Sequence, residues 1–135
     1  MRSLLSSKYS AGAVNTALLI LRLGFGILIL MHGFGKITNF NSMQNKFMNF
    51  MGLGSTVSLV LVIFAEFFCA ILLILGLFTR FACIPLIIAM LVALFMAHDG
   101  DIFGKGEASA LFLFGFFAIL LTGPGRVSLD NMIGK

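Results

Sequence analysis

The chain has 135 residues, of which 60% are hydrophobic and only 10% charged, with sixteen phenylalanines, eight methionines and no tryptophan. A mean hydropathy of +1.12 excludes an ordinary soluble domain and points to an all-α integral membrane protein. The formal net charge of +4 would suit nucleic acid, but the lysines and arginines are scattered and mostly flank apolar runs. They read as topology signals, and the first partner is the lipid bilayer.

A helix needs about 20 apolar residues to cross a hydrocarbon core about 30 Å thick. Four stretches come near that length, residues 14–35, 53–78, 81–97 and 108–122, and they predict one domain built as a four-helix membrane bundle. The first is too long for the apolar part of a signal peptide. It also contains Arg22 and ends in His32, Gly33, Phe34, Gly35 and Lys36 with no small-residue cleavage site, so it reads as a retained helix.

After the first span, Phe40, Met43, Phe47 and Met51 recur at helical spacing opposite Asn41, Gln44, Asn45 and Lys46. The pattern predicts a short amphipathic helix in the outer interface, either a lid over a pocket or a plain connector. Thr79 and Arg80 alone join spans two and three, which must then form an antiparallel hairpin. Pro85 falls near the start of span three, where its missing N–H matters least. The connection from His98 to Glu107, rich in glycine and charge, reads as a wet loop. His32 and Lys36 at the end of span one are echoed by His98 and Lys105 after span three, a hint of a duplicated hairpin.

Gly123, Pro124 and Arg126 close span four as a glycine cap, a helix stop and a head-group anchor, and Ser128 is placed to cap a short terminal helix containing Asp130. One side of the membrane collects Arg2, Lys8, Arg80, Arg126 and Lys135, against Lys36, Lys46 and Lys105 on the other. That bias predicts that both termini are cytoplasmic.

Arg22 and Glu66 each lie near the middle of an apolar stretch. A charge at the bilayer centre costs about 2.5–3.5 kcal/mol on insertion scales, so such residues usually face a bundle interior and carry function. Counted along their helices, both fall near mid-depth and are expected to pair. The pair could fix helix packing, or it could be a catalytic site at which Glu66 exchanges a proton with a polar head group such as a quinone carbonyl while Arg22 balances charge. Arg22, Gly26, Gly33 and Lys36 share one helix face, so a cavity should open outward and end near Glu66.

At the outer rim His32, Lys36, His98, Asp99, Asp101 and Glu107 could gather, with His32, Lys36, His98 and Glu107 as ligand-binding candidates. Haem or metal is disfavoured, because no HxxxH or HxxE spacing occurs. Cys69 and Cys83 differ in depth by about 9 Å along their hairpin, which predicts two unpaired core thiols.

Three segments are similar to the DoxX family of small bacterial membrane proteins. They are Leu21-Arg-Leu-Gly-Phe-Gly with His32-Gly-Phe-Gly-Lys36, the stretch from Ala65-Glu-Phe-Phe-Cys to Phe-Thr-Arg80, and Gly123-Pro-Gly-Arg126 with Ser128-Leu-Asp130. The resemblance implies a four-helix membrane bundle and, for the name-giving branch, association with thiosulfate:quinone oxidoreductase and respiratory electron transfer. It also implies that Arg22, His32, Lys36, Glu66, Arg80 and Arg126 are the recurring polar residues. No thiosulfate-handling domain is appended to these residues, so direct thiosulfate oxidation is not expected. The leading expectation is a subunit of the bacterial cytoplasmic (inner) membrane that binds a quinone and works with a separate redox protein. The alternatives are a non-enzymatic scaffold recruiting a soluble redox partner, or a small proton-coupled transporter working as a homo-oligomer.

Overall fold

Ser10 opens the first helix: its hydroxyl accepts the N–H of Ala13 at 3.1 Å, an N-cap that satisfies one of the free donors of the first turn. In the computed structural model, which describes residues 4–134, this helix, α1, runs Ala11–Thr38 and exceeds its expected bounds by three residues at each end. Arg2 and Lys135, used above to orient the chain, lie outside the described residues.

The connector corrects the sequence expectation. Only Phe40–Met43 (α2) is helical, a single turn of four residues. The backbone then bends at Met51, Gly52 and Gly54, with φ of 51°, 76° and 94°, values no α-helix accommodates. Side chains fasten the bend to the next helix instead. Phe50 N–H donates to Ser58 Oγ at 2.8 Å, Gly54 N–H to Asn49 Oδ1 at 2.8 Å, and Ser55 Oγ to the Gln44 carbonyl at 2.6 Å.

Helix α3 spans Ser55–Leu75 and α4 spans Thr79–Ala97. Each contains a π-helical stretch, Phe64–Cys69 in α3 and Ala93–Ala97 at the end of α4. Between them lies the expected tight hairpin. Gly76 adopts a left-handed φ of +71°, and the N–H groups of Gly76 and Leu77 return to the carbonyls of Leu73 and Leu72, a Schellman cap. Asp130 accepts the N–H groups of Phe78 at 2.7 Å and Thr79 at 3.0 Å, so a residue from the far C-terminus caps α4. Residues 98–106 are more ordered than a wet loop. The Asp101 carbonyl accepts from Gly104 and Gly106, and its carboxylate accepts from Lys105 N–H. Helix α5, Glu107–Thr122, and the Ser128-capped turn α6, Leu129–Met132, complete the described residues, which contain no strand.

α1, α3 and α4 are each long and apolar enough to cross a membrane, whereas α5 is apolar but only 16 residues long. α1 packs on α3 and α5, and α4 packs on the same two, so the helices close a ring. Inside it lie Ile29, Leu73, Leu86, Phe116 and Ile119 with the free thiols Cys69 and Cys83. Ile20, Leu28, Phe34, Phe95 and Phe114 point outward and are exposed, an apolar perimeter suited to lipid.

The register of α1 against α3 is set by glycine. A Cβ at Gly33 would lie 2.7 Å from the Glu66 carbonyl carbon and 2.8 Å from Phe67 N, both backbone atoms that cannot rotate away. Gly24, on the same helix, faces open space. Gly33→Ala should therefore force the helices apart and destabilise the protein by about 3 kcal/mol, at the upper end of overpacking costs. Gly24→Ala should be neutral or slightly stabilising. Chemical denaturation of the two variants in detergent checks the contrast, and equal midpoints would contradict this register.

Candidate functional site

At the end of the ring that carries the chain termini, Arg22 is 2% exposed and spends its donors on backbone carbonyls. Nε donates to Leu73 at 3.1 Å, a carbonyl that also accepts the Gly76 N–H, and Nη2 to Ile74 at 3.0 Å, a carbonyl at the end of α3. Nη1 donates to Pro124 at 2.9 Å and to Val127 at 2.5 Å. The carboxylate whose charge acts on Arg22 is Asp130. The expected Arg22–Glu66 pair is thus not formed.

Register explains the correction. Antiparallel packing sets Gly33, and not Arg22, beside Glu66, and the eleven positions that separate Arg22 from Gly33 span about 16 Å of helix.

Arg22 instead joins the residues read from sequence as the closing motif. Gly76 is in contact with it: a Cβ there would lie 2.9 Å from the guanidinium carbon and 2.5 Å from Ser128 Cβ. Arg80 reaches the Leu121 carbonyl at 3.4 Å and lies against Gly123. Arg126 is exposed, but its N–H binds Asn15 Oδ1 at 2.8 Å and so ties the motif to α1. Pro124 contributes a carbonyl to Arg22, and Asp130 caps α4.

Near the opposite end, Glu66 is 5% exposed inside the π stretch of α3. Its partner is Lys36, with Nζ–Oε1 2.5 Å, the lysine side chain 20% exposed and the carboxylate side chain 6%. π segments carry an extra residue per turn, re-aim side chains, and recur at functional sites. Here two of them, in α3 and α4, flank one space.

That space consists of two cavities meeting at the ion pair. The first, about 200 Å³, lies towards α5 and is lined by His32, Lys36, Glu66, His98, Lys105 and Phe112 among others. The second, about 290 Å³, lies towards the connector and adds Lys46, Phe47 and Met48. Lys36, Glu66, Ala93 and His98 border both. His32 is oriented by Phe112, its ring edge-on at 6.0 Å.

Of the sequence candidates, the structure brings together Glu66, His32, Lys36 and His98. Glu107 is exposed in the first turn of α5 and borders neither cavity, and Asp99 is exposed in the loop. Met48 was not singled out by sequence reasoning, and Lys46, Phe47 and Lys105 were read only as parts of the connector and of the echo. All four residues of that echo, His32, Lys36, His98 and Lys105, line one cavity. The donors there are cationic or neutral nitrogens around a single carboxylate. The set can hold a carbonyl or an anionic oxygen and exchange a proton with it.

A profile of the DoxX family matches residues 17–99, more than half of the chain. The chain belongs to the DoxX family. No curated protein and no solved structure matches it. The DoxX match includes Arg22, His32, Lys36, Glu66, Arg80 and His98, and therefore both the ion pair and the centre of the carbonyl-capping cluster. Lys105, Glu107 and the Gly123 to Asp130 segment fall beyond it.

Proposed function

We propose that this DoxX protein is a four-span membrane subunit that binds a quinone or a similar lipid-soluble redox molecule at Lys36 and Glu66 and works with a separate redox protein. The observation carrying the reading is the buried Lys36–Glu66 pair standing between two cavities with His98 on both. A buried pair is weak evidence for stability, since apolar residues of like volume often do as well, so its position on cavity walls favours use over packing.

A quinone, when bound, supplies two-electron, two-proton redox chemistry. Lys36 has three donors and gives Glu66 one, which leaves others for a carbonyl oxygen. Glu66 moves a proton at its carboxyl group, and His98 and His32 relay it towards the loop end, since a neutral imidazole offers one donor and one acceptor nitrogen. Arg22 serves the framework and not the ligand. The protein sits in a bacterial inner membrane with α5 as the fourth span. Lys8, Arg80 and Arg126, gathered at one end of the ring, face the cytoplasm with both termini, and the site lies near the outer surface.

The test is mass-spectrometric extraction of protein purified gently from its native membrane, beside Glu66→Gln. A quinone retained by the wild type and lost from the variant is expected. A protein empty in both would overturn the reading and favour a scaffold that recruits its partner without a ligand.

A further inference from the structure

Between α3 and α4 a third cavity, about 260 Å³, adjoins the ion-pair site, and Phe47, Met48, Val62, Ala89 and Val92 line both this cavity and the one at Glu66. Two small buried residues, Ala65 and Ala89, form its floor. Its one polar side chain is already engaged: Ser58 Oγ donates to the Gly54 carbonyl at 2.6 Å and accepts from Phe50 N–H at 2.8 Å. A hydrocarbon occupant would deprive no polar group of a partner, whereas a polar occupant would be desolvated without recompense. Leu61, Phe64 and Ile88 border the cavity and are 45%, 44% and 50% exposed, so it opens on the apolar flank of the helices.

Resting on the reading that the Glu66 site takes a quinone-like head group, we propose that this groove holds the ligand's isoprenoid or alkyl chain. The ligand then reaches Glu66 sideways from the bilayer, between α3 and α4. Continuity favours a tail of the same ligand over an independent lipid. Val62 on α3 and Ala89 and Val92 on α4 border both cavities, so a chain leaving the polar site passes between the two antiparallel helices directly into the groove. Phe47 and Met48, held by the bonds that join Gln44 and Phe50 to Ser55 and Ser58 of α3, cover the junction of head and tail. Methionine, unbranched and polarisable, suits contact with a variable chain.

The experiment is photolabelling of the full-length protein in phospholipid nanodiscs by a quinone with a diazirine at the end of its chain, with adducts mapped by peptide mass spectrometry. Adducts should fall on Leu61, Phe64 and Ile88, and excess unlabelled quinone should remove them. The paired change Leu61→Trp and Ile88→Trp, at exposed positions outside the polar site, should abolish these adducts while a quinone without a chain still binds. Where that variant fails to fold, Ala65→Val narrows the same groove and is read in the same way. Displaceable adducts on α1 or α5, or groove adducts that quinone does not displace, would overturn the groove while leaving the head-group site standing. No displaceable adduct, together with no binding of the chainless quinone, would overturn the head-group reading and this inference with it.

Discussion

Arg22→Met should destabilise the protein by about 4 kcal/mol, because each buried polar group left without a partner costs about 1–3 kcal/mol. Methionine retains an unbranched chain but no donor, and the carbonyls of Ile74, Pro124 and Val127 lose the guanidinium together, while that of Leu73 keeps the Gly76 N–H. Partial relaxation of the 123–128 segment keeps the total below the simple sum. Arg22→Lys should recover only part, since an ammonium lacks the planar fork that reaches two chain segments at once. Denaturation midpoints measure the loss, and limited proteolysis should show the C-terminal segment released first. Wild-type stability of Arg22→Met would refute the capping role. Because Arg22 and Glu66 stand about 16 Å apart by helix rise, their substitutions should add without coupling.

A second large effect is expected at the ion pair, and it separates packing from ligand binding. Lys36→Met strands Glu66, which is 5% exposed, and should cost about 3 kcal/mol, the lower end for breaking a buried pair. Glu66→Leu should cost less, since the Lys36 side chain is 20% exposed and its ammonium can extend towards water. With both changes together the stability should return close to that of the wild type, because apolar side chains of similar volume replace the pair. Quinone binding, followed by titration of the purified protein, should be absent from all three variants. Restored stability with restored binding in the double variant would reduce the pair to a packing device.

Hydropathy alone determined that the chain is a helical membrane protein, and local chemistry determined its punctuation. Ser128 as a cap, Gly123 and Pro124 as a stop, and the hairpin at Thr79 all depend on neighbours within a few residues, which is the range over which sequence patterns speak. The clustering of His32, Lys36 and His98 at the mouth of a cavity ending near Glu66 was legible in part, since charge and imidazole amid apolar residues signal a shared interior, but Glu66 was expected to meet Arg22 and not Lys36. The connector was not. Its apolar spacing suits a helix, but the positive φ at Met51, Gly52 and Gly54 and the bonds to Ser55 and Ser58 override that period.

Only the tertiary structure decided which charge meets which. Arg22 and Glu66 have similar depth when each helix is counted from its own start, yet the contact of Gly33 with the Glu66 backbone sets Lys36 against Glu66 and leaves Arg22 to the end of α3. Between apolar helices in lipid, burial provides little preference for one register over another. Close backbone approach at glycine and the demands of unpaired carbonyls make that choice, and both arise only when the helices are brought together.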